Sequence, residues 1–342
     1  MSRYRIQKVV SGLLRMVLLV CVLNLMPTTA FGQKKLLLKV DSVLASFQKV
    51  TTDTNYIVRP KSRLTVRLLS NLSGARFKVV DRERGRDNDI LHLRSDLKWT
   101  LSSSINYRGI AIALAVNPGH IFDWYHDLEF NVNAYGNKMG ADFIYQRAED
   151  IRGDATIDDY RREIPKDMLN TKSVDANFYY VFNHRKFSYP AAFTQTFFQK
   201  RSAGSFIAGA SYESVVMDIG KQWRILDDED YRVMDTKMVG VGVGYGYNFV
   251  PTNRWLVHLS ALPTIVVWKD LSMENDGYTS RGSHPMSLPN MLITGRLSIV
   301  HYFDNQFAGL MAVVNHSHLG QSGADMVDHF KWRVRLFYGI RF

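Results

Sequence analysis

Cysteine is nearly absent. The chain holds one, Cys21, so no internal disulfide and no Cys-based zinc site can form. Proline is sparse at 9 of 342 residues, and the 23 glycines follow no triplet repeat, which excludes a collagen-like fibre. Charged residues make up only 22% and the AVILMFWYC set 46%, too greasy a mixture for a disordered chain. Beyond residue 32 no stretch reaches eighteen consecutive apolar residues, so a membrane-crossing helix is excluded there.

Acid is missing from the first 32 residues, which carry Arg3, Arg5, Lys8 and Arg15. An apolar run from Met16 to Met26, broken only by Asn24, follows, then Pro27-Thr-Thr-Ala-Phe-Gly32. This order of basic head, short greasy stretch and small residues is that of a secretory signal peptide cleaved near Gly32. Eleven helical residues rise about 16 Å, roughly half a hydrocarbon core, so a membrane anchor fits less well. Cys21 lies between Val20 and Val22-Leu23, which does not match a lipidation site. The whole chain has 43 Lys+Arg against 32 Asp+Glu, a formal charge of +11. Removing residues 1–32 takes four of those bases and no acid, leaving 310 residues at +7. Much of the basicity therefore belongs to export, and nucleic acid is not an expected partner of an exported chain.

What is abundant is alternation. In Phe330–Phe342 every even position is apolar or aromatic, from Phe330 and Trp332 through Val334, Leu336, Tyr338 and Ile340 to Phe342. The odd positions carry Lys331, Arg333, Arg335, Phe337, Gly339 and Arg341. Period two is the signature of a strand with one greasy face. Thirteen residues rise about 43 Å, or about 30 Å at a 45° tilt, the height of a bilayer core. The pattern recurs over 63–79, 91–105, 109–117, 126–136, 140–148, 173–184, 203–217, 236–250, 253–268, 288–303 and 306–318. With 329–342 that makes twelve strands, joined alternately by short turns and long polar loops. One connection, 185–202, should be short and is not.

These features predict an all-β fold: a transmembrane antiparallel barrel of about twelve strands over 63–342. Residues 33–62 form a periplasmic N-terminal segment, with a possible amphipathic helix over Lys34–Val50. Closure in lipid satisfies every backbone group and turns the apolar faces to hydrocarbon. Short turns and both chain ends then lie on the periplasmic side.

The closing Tyr338-Gly-Ile-Arg-Phe342, with Leu336 before it, resembles the C-terminal signal read by the bacterial barrel assembly machinery. More widely, the chain resembles an uncharacterised outer-membrane barrel family of Bacteroidetes-type Gram-negative bacteria, a DUF4421-like domain of unknown function. Four stretches carry that resemblance: Asp53-Thr-Asn-Tyr-Ile57, Leu114-Ala-Val-Asn-Pro118, Asn183-His-Arg-Lys-Phe-Ser-Tyr-Pro190 and Gln199-Lys-Arg-Ser-Ala-Gly-Ser205. It implies outer-membrane localisation. The partners implied are outer-membrane lipid, lipopolysaccharide and the assembly machinery. It supplies no catalytic residues.

Chemistry-bearing clusters are few. Asn315-His-Ser-His-Leu-Gly-Gln-Ser-Gly323 partly resembles the His-x-Ser motif of outer-membrane phospholipases and deacylases. There a Ser nucleophile and a His base share one face; here His318 stands two places after His316, and Ser317 falls on the other face. His316 and His318 are the weak catalytic candidates of a lipid-modifying alternative. Two His without a third ligand do not define a metal site, and no cofactor is expected. Gly240, Gly242, Gly244 and Gly246 lead into a turn and another strand, which speaks against a phosphate loop. Asp227 to Asp230 read as a solvated acidic loop. The inward faces are expected to carry Arg63, Arg67, Arg94, Lys98, Arg296 and the ladder Lys331, Arg333, Arg335 and Arg341. Asp96, Glu129, Asp142, Asp175 and Glu213 stand among them. Two readings follow: a narrow anion-preferring pore, or a barrel filled by charges that pair across the interior.

Overall fold

The computed structural model describes residues 51–62, 64–81, 89–107, 110–116, 129–157, 160–219, 233–275, 278–282, 290–320 and 326–342. The expected signal peptide, the helix expected within 34–50, Arg63, the acidic run 227–230 and Ser322 lie outside the described residues. The elements are β1 (Ile57–Val58), β2 (Leu64–Asp81), β3 (Asp89–Ser95), β4 (Lys98–Tyr107), β5 (Ile110–Val116) and β6 (Glu129–Tyr135). There follow β7 (Met139–Ile157), β8 (Tyr160–Val181), α1 (Tyr189–Phe193), β9 (Phe198–Gln199), β10 (Ala203–Ile219) and β11 (Val233–Thr252). The chain closes with β12 (Trp255–Asn275), β13 (Tyr278–Gly282), β14 (Met291–Phe303), β15 (Gln306–Gly320) and β16 (Met326–Arg341).

Twelve of these strands form a closed antiparallel barrel in the order β2, β4, β5, β6, β7, β8, β10, β11, β12, β14, β15, β16. β16 returns to β2, with Tyr338 opposite Leu68 and Arg341 opposite Thr65. β13 extends β12 at the loop end. β3 spans from β2 to β7 above the short β4–β5–β6 group, so the wall stays continuous there.

The faces are inverted relative to a soluble protein. Leu68 is 63% exposed on the outside and Leu259 65%, while Arg67 is 4% and Asn71 3% exposed on the inside. Apolar area on the outer wall gains free energy only from hydrocarbon. The sheet is therefore a membrane barrel.

Three features differ from the sequence reading. The segment 149–172, expected as a loop, is mostly ladder, because β7 and β8 run on to Ile157 and from Tyr160. β8 at 22 residues is about 70 Å long, or about 50 Å tall at a 45° tilt, and so rises well past a bilayer core. Beyond the lipid both faces of a ladder meet water, and the alternation that marks a strand disappears. The second difference is at Arg94, expected on the inward face and in fact exposed on the outside, opposite Arg76. Arg76 pairs with Arg94 but Ser73 pairs with Lys98, so one extra residue lies between β3 and β4. One inserted residue inverts every side chain beyond it. The third is the connection 182–202, which folds into the barrel.

The lumen-facing glycines of β11 let β12 approach. A Cβ on Gly244 would press into the Ala261 carbonyl, and one on Gly242 into that of Pro263. Neither backbone atom can yield as a side chain does. Gly244→Val is expected to part β11 from β12 and abolish the fast-migrating unboiled band on a denaturing gel. Retention of that band in the variant would show the approach to be dispensable.

Candidate functional site

The end of the barrel that carries the short turns is sealed by the chain itself. After β8 the chain turns inward through Asn183–Phe187, forms α1, and returns through β9 to β10. Five aromatic residues make this insertion: Phe187, Tyr189, Phe193, Phe197 and Phe198. Phe187, Ala191, Ala192, Thr194 and Gln195 are all 0% exposed. Phe187, Ala191 and Ala192 share one apolar cluster with Leu256, Val300, Tyr302 and Phe307 of the wall.

The polar groups of so short a helix need partners. Ser188 caps the N-terminus, its Oγ accepting from the Ala191 N–H at 3.3 Å and donating to Asn137 Oδ1 at 2.7 Å. The C-terminal carbonyls have no partner within the helix, and the wall supplies them. Tyr302 donates to the Ala191 carbonyl at 3.1 Å, Ser298 to that of Ala192 at 2.7 Å, and Arg67 to that of Phe193 at 2.7 Å. Gln195 then takes a left-handed φ of 54°. Its carbonyl accepts from Arg341 Nε at 3.1 Å and its side-chain oxygen from Arg67 at 3.3 Å. A buried non-glycine residue in that conformation persists only where its surroundings hold it.

The N-terminal segment completes the floor. Ile57 and Val58 of β1 pair with Gln199 and Phe198 of β9. Gln199 accepts from the Ser188 N–H at 2.8 Å and from Asn248 Nδ2 at 3.1 Å. Asn248 in turn meets His258 at 2.7 Å. Three of the four stretches that carry the family resemblance thus converge in one structure. Arg296 lies over the rings of Tyr189 at 5.8 Å and Phe193 at 5.7 Å, clamping α1 from above. Burial raises the pKa of the Tyr189 hydroxyl, with Arg296 acting in the opposite direction.

Above the floor lies a cavity of about 280 Å³. Lys331, Arg333 and Arg335 line it; Arg341 is lower, stacked over Phe198 at 4.1 Å within the floor. The lining holds seven Lys and Arg against four Asp and Glu. Ion pairs span the bore, among them Lys331 of β16 to Glu213 of β10 at 3.3 Å and Arg296 of β14 to Asp142 of β7 at 3.5 Å. The Tyr135 hydroxyl donates to the same Asp142.

His316 and His318 stand on the outer face near the loop end, where His318 Nδ1 lies 2.6 Å and His316 Nε2 3.9 Å from Asp328 Oδ1. Ser317 faces inward and lines the cavity. The structure therefore joins each His to a carboxylate and keeps the intervening Ser on the opposite side of the wall. Leu336 and Tyr338 face outward, and the Phe342 N–H donates to the Leu64 carbonyl at 2.9 Å, closing the barrel seam.

The floor is what the sequence reading missed. A signal was present: 185–202 was too long for its place, rich in aromatics and free of acid. Such a segment is too greasy for a solvated loop.

A family model described as a domain of unknown function, DUF4421, matches residues 51–342. No curated protein matches the sequence. Among solved structures the chain is similar to the outer membrane protease OmpT of Escherichia coli, at 10% identity and a TM-score of 0.40, covering 86% of this chain and 100% of that one. It is similar to the translocator domain of the autotransporter NalP of Neisseria meningitidis, at 10% identity and 0.37, covering 91% and 96%. An outer membrane channel of Pseudomonas putida F1 follows at 10% and 0.36, covering 86% and 100%. No residue role is carried over from these likenesses.

Proposed function

Because this chain belongs to the DUF4421 family, whose function is unknown, we propose from its own geometry that it is a closed outer-membrane barrel rather than an open porin. The protein resides in the outer membrane, with the turn end in the periplasm. Its lumen is a blind cup whose excess of cationic side chains favours small anionic solutes. A volume near 280 Å³ sits at the lower end of ordinary ligand sites. The floor stops solutes from passing through.

The observation that carries this reading is the complete burial of α1 and its flanks within the ring of strands. A twelve-stranded barrel lies between those filled by side chains and those with an aqueous channel, so a dedicated insertion determines which it becomes. The test is current in planar bilayers. The wild-type barrel is expected to insert without discrete current steps. Steady ohmic steps from the wild type would overturn the closed reading.

A further inference from the structure

The face of the floor turned away from the cup carries charge of nearly one sign. Arg59 and Lys61 precede β2, Arg185 and Lys186 follow β8, Lys200 and Arg201 follow β9, and all six side chains are exposed. Arg254 is exposed on the neighbouring β11–β12 turn. The acids described at this end are Asp53 and Asp304. Asp53 directs its carboxylate to the Asn55 N–H at 2.9 Å.

The cluster is built into the fold. Lys186 Nζ lies 5.2 Å and the Arg201 guanidinium 5.9 Å from the centre of the Tyr56 ring. Lys200 donates through its backbone to the Tyr56 carbonyl at 2.7 Å and through its side chain to that of Thr54 at 3.2 Å. From behind, Gln199 donates to the carbonyls of Lys186 at 2.6 Å and Arg201 at 2.8 Å. The Asp53 N–H donates to the Arg185 carbonyl at 2.9 Å. Three chain segments are thereby tied so that their cations stay together despite mutual repulsion. A fixed group of like charges forms a field that favours an oppositely charged partner.

We propose that this face docks an acidic, carboxylate-rich segment of a periplasmic protein. The inference rests on the reading above for the side of the membrane it faces. A protein segment is favoured over lipid because the cluster is carried by the insertion that fills the bore. Ile57 and Gln199 of the floor ladder are buried behind it. Lipid headgroups surround the outer wall, whereas a water-borne chain reaches the floor.

The test uses the full chain in discs of neutral lipid, with labelled poly-L-glutamate as the probe. Wild type is expected to bind it at low salt and release it as salt rises. Lys186→Glu with Arg201→Glu is expected to weaken binding about tenfold or more. Arg76→Glu with Arg94→Glu, which removes an exposed cation pair at the loop end, should leave binding unchanged. Bilayer recordings of the first variant separate the two proposals: silence with lost binding means that the floor is seated and only docking has failed. If that variant conducts, Lys186→Gln with Arg201→Gln takes its place. The docking proposal is overturned if wild type ignores the probe, if the loop-end variant loses binding equally, or if the turn-end variant binds normally. It is also overturned if wild type binds only discs containing phosphatidylglycerol.

Discussion

Replacing residues 187–197 by a short Gly-Ser linker is expected to turn a silent barrel into one that passes discrete current steps. The ladder from β2 round to β16 closes without these residues, so the wall does not depend on them for its hydrogen bonds. What they supply is the floor. A gentler version removes the two arginines that hold it. Arg67 gives hydrogen bonds to the Phe193 carbonyl and the Gln195 side chain, and Arg341 gives one to the Gln195 carbonyl. Bonds from charged donors contribute about 1.5–3 kcal/mol each. Losing these three bonds, about 4.5–9 kcal/mol, raises the unseated fraction by about 10³–10⁷. Arg67→Ala with Arg341→Ala should therefore flicker open where wild type stays shut, and the excised barrel should stay open. The open state should prefer anions, because Lys331, Arg333 and Arg335 remain in the wall. Neutralising Arg333 and Arg335 together should move the reversal potential toward zero in a salt gradient. A silent excised barrel that still shows the compact unboiled band would mean that something other than the floor blocks the bore.

The barrel was legible because its signal is physical and repetitive. A strand between lipid and lumen must alternate, and β11, β12, β14, β15 and β16 alternate over most of their length. The ladder Lys331, Arg333, Arg335 was legible as inward-facing for the same reason. Where the strands leave the lipid, as in β7 and β8 past residue 148, the signal fades although the hydrogen bonds continue. A single inserted residue near Asp96 was enough to put Arg94 on the wrong side. The floor was illegible for a different reason. Its residues are assembled from segments more than a hundred positions apart, as when Arg67 meets Phe193 or Tyr302 meets Ala191. No local period records such a meeting. Only the misfit of 185–202 to its place in the turn pattern pointed to it.

Leu259→Arg is expected to cost about 2–4 kcal/mol of barrel stability in lipid, the range for a cation placed on the lipid face near the bilayer centre. Leu259 is 65% exposed on the outer wall of β12, between Val257 and Ala261 on the same face. A guanidinium there must leave water, thin the bilayer locally or reach along the wall to a headgroup. Ser211→Arg makes the opposite comparison. Ser211 lines the cup two residues from Glu213, so a new cation enters a polar cavity beside a carboxylate. Its cost should stay well below that of Leu259→Arg. Urea unfolding of the two variants in lipid vesicles measures the difference directly. In a water-soluble sandwich the ranking would reverse, because an exposed Leu gives way to Arg at little cost while an inward Arg is buried in a core. Equal costs, or a harmless Leu259→Arg, would refute the placement of this wall against hydrocarbon. The proposed closed lumen and docking face would lose their common premise with it.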